Sequence, residues 1–339
     1  MLKSKRKILI GLLVLVLAIT LVGCNDSEKS TTGEENGAKD TIVIAQNADA
    51  KSLDPHSTND TASSNVSRHI YNALLKTDLD MNIVGDLAES WEALDELTWQ
   101  FNLRQDVKWH DGQDFTAADV KYTIERMQAS PSVMHLVEDI TEVEIVDDFT
   151  VLIHTEKPYA PILSNLSHSA ARIVNQNSVE KYGDEYGQNP VGTGPYKFVE
   201  WVAGEKIVLE RFDDYFEGPA KTKTIITKPI PEGLSRTIAL ETGEVDIAYD
   251  IEPNDKKRIE ENPDTALIEK ESNRIEYLSF NMNKKPFDNQ KVRQAINYAI
   301  DKEAILEVAE LGRGQIANTV TGPTVFGYNG DLNRYEYNV

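Results

Sequence analysis

GDLAESWEALDELTWQFNLRQDVKWHDGQDFTAADVKYTIER, residues Gly85 to Arg126, is the stretch whose reading decides the fold. It divides into four pieces. GDLAESWE predicts a turn and then a short amphipathic segment. Thr98 to Leu103 alternates, with Trp99, Phe101 and Leu103 on one face, which predicts a half-buried strand. His110-Asp111-Gly112-Gln113 predicts a turn. Thr116-Ala-Ala-Asp119 has capping-box spacing, and Val120, Ile124 and Met127 follow on one helical face.

Toward the N-terminus, Thr41 to Ala45 predicts a short buried strand. Ser52-Leu53-Asp54-Pro55-His56 is turn-rich, and Pro55 ends any extended run. Asn59 to Ser64 is small and polar. Val66, Ile70, Ala73 and Leu74 mark the buried face of a helix ending near Leu75. Residues 25–40 hold one apolar side chain, Ala38, so this segment predicts a flexible tether, with an r.m.s. span of roughly 20–24 Å. Ahead of it, Lys3, Lys5, Arg6 and Lys7 precede an apolar run from Ile8 to Val22. That run is short for a membrane span, which takes about 20 residues, and suits a secretion signal.

Toward the C-terminus, Glu142–Val146 and Phe149–His154 flank Asp147-Asp148 as a hairpin. Pro158 and Pro161 open a loop and a helical region, and Gly183 and Gly187 lie in a polar break. Gly192-Thr193-Gly194-Pro195 forces a tight turn into a hairpin of Tyr196–Glu200 and Lys206–Glu210. It lacks the Gly-Lys-Ser/Thr end of a phosphate loop and precedes a strand. Thr224–Pro229, Ser235–Glu241 and Val245–Tyr249 read as strand, helix and strand with a parallel return, the unit of an α/β lobe. Ala266–Lys270 and Ile275–Asn281 predict further strands. Asp288 is placed to cap a helix carrying Val292, Ala295, Ile296, Ala299 and Ile300, and a second helix runs from Asp301 to Gly312.

Composition narrows the function. The 339 residues carry a net charge of −21. Without the four leading basic residues, 31 basic side chains face 56 acidic ones. So acidic a chain does not hold nucleic acid by neutralising phosphate. The single cysteine, Cys24, excludes an internal disulfide and a multi-cysteine zinc site. His56, His69, His110, His135, His154 and His168 stand in no HExxH spacing, and there is no GxSxG elbow. Nothing points to an enzyme, a metal centre or a cofactor.

Five runs resemble one family. These are LDPHS…SNVSRHIYNALLKTD, the WHDG…FTAADV run, PVGTGPY, ALETGEVDIAYDI, and FNMN with KPFD and VRQA. Together they are similar to the family 5 extracellular solute-binding proteins, the peptide-binding lipoproteins of bacterial ABC importers. Leu21-Val22-Gly23-Cys24 likewise resembles a bacterial lipobox. The resemblance implies an α/β, periplasmic-binding-protein-like (type II, two-lobe) fold. Residues 1–23 would be a signal peptide and 24–40 a tether. Residues 41–76 and 191–284 would form lobe I, nearly complete, with 77–190 as an inserted subdomain. Residues 285–339 would begin a lobe II that is mostly missing, because family members continue further. It implies lipidation of Cys24, anchorage on the outer face of the cell membrane, capture of oligopeptides or dipeptides, and delivery to permease subunits. Nickel chelate, haem or oligosaccharide remain alternative ligands on the same fold, and adhesion or signalling an alternative role. Thr61, Tyr249, Asp250 and Tyr277 match cleft positions, beside Asn59 and Asp60. All but Tyr249 have a plain structural alternative: a solvated loop for Asn59 to Thr61, a turn cap for Asp250, core for Tyr277.

Overall fold

The computed structural model describes residues 39–339 except Glu271, Phe326 and Asn333. Cys24 and the expected signal and tether, apart from Lys39 and Asp40, lie outside them.

Two sheets organise the described chain. The first has five strands: β1 (Thr41–Gln46), β8 (Tyr196–Val202), β9 (Lys206–Arg211), β10 (Thr224–Pro229) and β11 (Ile247–Ala248), in the order β11-β1-β10-β9-β8. β1 runs parallel to both β10 and β11, while β8, β9 and β10 form an antiparallel meander. Helix α1 (Thr61–Ile70) packs Val66 and Ile70 into the core of this sheet with Ile44, Leu209 and Ile225.

The second sheet has four antiparallel strands, β4 (Ala88–Ala93), β5 (Thr98–Leu103), β6 (Ile140–Asp147) and β7 (Thr150–Thr155), ordered β4-β5-β7-β6. The opening stretch builds half of it. Phe101 and Leu103 are buried in its core as their alternation demands, with Trp99 only half-buried. Helix α2 (Ala117–Gln128) covers the sheet with Val120, Ile124 and Met127. Its start is the expected capping box: the Asp119 carboxylate accepts from the Thr116 N–H at 2.9 Å. A short hairpin, β2 (Leu75–Thr77) with β3 (Ile83–Gly85), leads into this sheet.

Several expected elements differ. GDLAESWE contributes strand β4, whose Trp91 pairs with Phe101 and whose Glu89 and Glu92 face solvent on a sheet edge. Charges on an edge strand disfavour pairing with another chain. Helix α1 stops at Ile70, because Tyr71 turns extended and Gly194 N–H takes the Ile70 carbonyl at 2.8 Å. Ala73 and Leu74 are buried beyond the helix, not on it. The break around Gly183 and Gly187 is a short 3-10 helix, Gly183–Gln188. The strand expected at Val245–Tyr249 keeps ladder pairing at two residues only. Ala266–Lys270 and Ile275–Asn281 are not strands. They find no ladder partner among the described residues, and Ile268, Tyr277 and Leu278 are 88%, 79% and 63% exposed. Strand preference is realised only against neighbours. Asn289, not Asp288, caps the next helix, Gln290–Ala299, by accepting from Lys291 N–H. No residue of that helix, or of the one at Lys302–Ala309, is buried.

Candidate functional site

Two residues of the opening stretch, His110 and Arg126, are bonded to loops that lead between elements of the five-stranded sheet. His110 sits against the Gly192-Thr193-Gly194 turn. Its Nδ1 accepts from Gly192 N–H at 3.3 Å, and its Nε2 lies 2.9 Å from the Gly194 carbonyl. An N–H only donates and a carbonyl only accepts, so the ring is neutral with its proton on Nε2. Burial pushes its pKa down to about 4. The two glycines are required by contact. A Cβ on Gly192 would lie 1.9 Å from the Ile70 carbonyl oxygen, and one on Gly194 2.6 Å from the His69 oxygen. Between them Thr193 is fully buried and donates to Asn72 Oδ1 at 3.0 Å. Asn72 in turn donates to Asp86 at 2.9 Å.

At the C-terminal end of the stretch, Arg126 grips the Asp54 carboxylate with two nitrogens, at 2.9 and 2.6 Å, and donates to His56 Nδ1 at 2.7 Å. Burial works to raise Asp54, but the Arg126 bonds and charge outweigh it and hold the carboxyl below its ordinary value. Burial, helped by the Arg126 charge, lowers His56 to about 4. These contacts leave the opening stretch with a supporting role.

The site rim is set elsewhere, where the parallel strands β11, β1 and β10 end. In open α/β sheets, ligands sit beyond the carboxyl ends of the strands. Three links gather those ends. Ile230 N–H donates to the Gln46 carbonyl at 2.8 Å, and Tyr249 N–H to the Ala45 carbonyl at 2.9 Å. Gln46, 1% exposed, donates through Nε2 to the Ala62 carbonyl at 3.3 Å and so attaches the first turn of α1.

Arg236 completes the rim from helix α5 (Gly233–Glu241, counting Ile162–Leu166 and Gln176–Tyr182 as α3 and α4). It is 1% exposed. Its Nε donates to the Tyr249 carbonyl at 3.1 Å and its Nη2 to the Asp250 carbonyl at 2.7 Å. Its Nη1 donates to the carbonyls of Ile230 and Pro231, both at 2.9 Å.

The residues expected at the site are placed as follows. Thr61 is exposed on the first turn of α1. Asp60 caps that helix through Ser63 N–H at 3.0 Å, and also accepts from the hydroxyls of Thr58 and Ser63. Asn59 is exposed beside it. Tyr249 is half-buried, and Asp250 exposes its carboxylate from a left-handed backbone at φ 55°. Thr61, Tyr249 and Asp250 therefore belong to segments joined at the strand ends. Tyr277 is 79% exposed and makes no hydrogen bond to them among the described residues. Sequence reasoning missed Gln46 and Arg236. The polar residue closing TIVIAQ and the lone arginine on an apolar helix face were the available signals.

Two cavities flank this region. One of about 10 Å³, room for a single water, is lined mostly by serine and threonine, among them Ser52, Thr58, Ser63, Ser64, Ser67 and Ser169. An open cleft of about 610 Å³ lies between Pro253, Lys256 and Glu260 on one side and Leu311 to Gly314 on the other. Among the described residues, no helix is long and apolar enough to cross a membrane.

Known proteins share this architecture. The chain is 39% identical over 280 residues to the glutathione-binding protein GsiB of Pectobacterium atrosepticum, covering 81% of this chain and 54% of that protein. It is 35% identical over 293 residues to GsiB of Salmonella paratyphi A, covering 85% and 57%. It therefore spans little more than half the length of these relatives. Among solved structures it matches the binding protein DppA of Helicobacter pylori in complex with the peptide STSA, at TM-score 0.78 and 30% identity over 88% of this chain and 64% of that one. It matches the oligopeptide-binding protein AppA of Bacillus subtilis, in complex with a nonapeptide, at TM-score 0.80 and 27% identity over 89% and 62%. NikZ of Campylobacter jejuni, in complex with Ni(L-His), matches at TM-score 0.78 and 29% identity over 89% and 61%. The family model described as Bacterial extracellular solute-binding proteins, family 5 Middle, matches residues 82–339, so the chain belongs to that family and carries part of its two-lobe α/β fold.

Proposed function

We propose that this protein is the extracytoplasmic substrate-binding component of an ABC importer, capturing peptides or peptide-like solutes such as glutathione and passing them to a membrane permease. The observation that carries this reading is the convergence of three parallel strand ends, tied together by Gln46 and Arg236, on a rim bearing Thr61, Tyr249 and Asp250. Membership of the family and the peptide and glutathione ligands of its relatives support it. Ligand recognition by main-chain hydrogen bonds, with pockets that tolerate varied side chains, suits that ligand class. Residues 41–76 and 191–284 act as one lobe, 77–190 as its inserted subdomain, and 285–339 as the start of the second lobe. Tyr277 joins the ligand surface when that lobe packs against it. Cys24 carries the lipid that holds the protein at the outer face of the membrane.

Isothermal titration of the full-length protein with reduced glutathione and with a mixed di- to pentapeptide library tests the ligand class. Binding in either series is expected, and heats at buffer level in both would sink the reading. For the anchor, C24A is expected to move the protein from the membrane fraction to the soluble one.

A further inference from the structure

Among the described residues, Arg236 is a buried cation without a hydrogen-bonded carboxylate. Glu252 Oε1 lies 3.9 Å from its Nη2, and that side chain is 56% exposed. Its charge is met instead by four carbonyl dipoles on two separate segments, Ile230–Pro231 and Tyr249–Asp250. These segments follow β10 and β11, which flank β1 without touching each other. One planar fork thus spans the strand order. The same bonds coincide with an unusual backbone. Asp250 stands at φ 55°, a region that costs a non-glycine residue energy and persists only where surroundings hold it. The next carbonyl, Ile251, is taken by Arg313 at 3.2 Å. Three consecutive carbonyls are therefore engaged, and the rim offers the side chains of Tyr249 and Asp250 in their place. The fit beneath is close: a Cβ on Gly233, at the start of α5, would lie 2.4 Å from Glu252 Cγ.

We infer that Arg236 is a positioning residue for ligand capture: it touches no ligand, but fixes the left-handed turn that presents the Asp250 carboxylate and the Tyr249 ring at the rim. The inference rests on the ligand rim proposed above. Lysine cannot replace it, because an ammonium is a point charge without the planar fork that reaches both segments.

The test compares wild type, R236K, D250N, the double variant R236K/D250N, and E252Q as a control for the neighbouring carboxylate. In hydrogen exchange, R236K is expected to raise exchange about tenfold in both 230–232 and 249–252 while β1 and β10 keep their protection. E252Q is expected to leave both segments unchanged. No change in R236K, loosening of one segment only, or a uniform rise across the sheet would overturn the clamp. In wild type, the Arg236 guanidinium is expected to show separately resolved, slowly exchanging Nη protons, with cross-peaks to Pro231 and Asp250. A freely rotating guanidinium overturns the clamp even where R236K does not fold.

Titration with reduced glutathione and with trialanine then reads the positioning role. D250N is expected to weaken binding about fivefold in wild type and less than about twofold in R236K, because the two act through one element. Equal losses in both backgrounds overturn that route. If wild type binds neither probe, the functional reading fails, while exchange and the guanidinium signals still decide the clamp.

Discussion

Replacing His110 with alanine should destabilise the protein by about 3–4 kcal/mol without touching the proposed ligand rim. The ring makes two hydrogen bonds to one loop, Gly192 N–H to Nδ1 and Nε2–H to the Gly194 carbonyl. Each has a net worth of about 0.5–1.5 kcal/mol. It also meets Phe212 edge-on, with ring centroids 5.0 Å apart. An aromatic contact of that kind adds about 0.5–1.5 kcal/mol. The remainder is the cavity left when a largely buried ring is deleted from surroundings that collapse only in part. Glutamine is the informative comparison. Its amide nitrogen reaches the Nε2 position and keeps the 2.9 Å bond to Gly194, but nothing replaces Nδ1. H110Q should therefore lose roughly half as much as H110A. Urea denaturation followed by tryptophan fluorescence at pH 7.5 measures both. A loss below about 1 kcal/mol for H110A, or equal losses for the two variants, refutes the idea that this ring joins the two parts of the chain.

The same contacts set a pH dependence. His56, His69 and His110 all have folded pKa values of about 4, below the ordinary histidine value of 6.5, with burial as the leading cause in each. The unfolded chain binds protons that the folded chain refuses, so stability is full above pH 6.5 and declines from there to about pH 4. The slope reaches at most about 4 kcal/mol per pH unit for three groups, and a flat urea midpoint between pH 7 and 4.5 contradicts the assignment. Asp119 runs the other way. Burial raises it to about 6, so its contribution is full below pH 3.8 and lost as pH rises through 6. Relative to D119N, wild type should weaken between pH 4 and 7, and a constant difference in midpoint would count against a raised Asp119. Glycine contacts give a third comparison. G192A brings a Cβ within 1.9 Å of a backbone oxygen and should abolish folding or cost more than about 4 kcal/mol. G112A enters open space at φ 89° and should cost only about 1–2 kcal/mol. Thermal melts separate the two, and similar losses contradict the close approach.

What the sequence made legible follows from how local each signal is. Thr116 to Met127 declares its helix because the cap and the buried stripe are both written in adjacent residues. The alternation of Thr98 to Leu103 gives a strand for the same reason. Gly192 and Gly194 marked a tight turn, but not why it is tight: the oxygens they admit belong to His69 and Ile70, more than a hundred residues earlier. The failures at Ala266–Lys270 and Ile275–Asn281 have the complementary cause. Their apolar residues form a strand only beside neighbours, and the described residues supply none.

The site divides along the same line. The position of Tyr249 and Asp250 at a strand end, where the proposed rim lies, is a local event that a pattern can suggest, whereas the placing of Arg236 is not, because its four acceptors come from two loops 19 residues apart. Hence the residues that meet solvent at the rim are found by pattern, and those that fix their geometry are found only by tracing where buried donors go. A buried arginine in a chain of net charge −21 invites a carboxylate partner on composition alone. That its partners are backbone carbonyls makes the rim insensitive to which acidic side chains surround it. It also makes the rim sensitive to the one change, arginine to lysine, that charge bookkeeping would score as neutral.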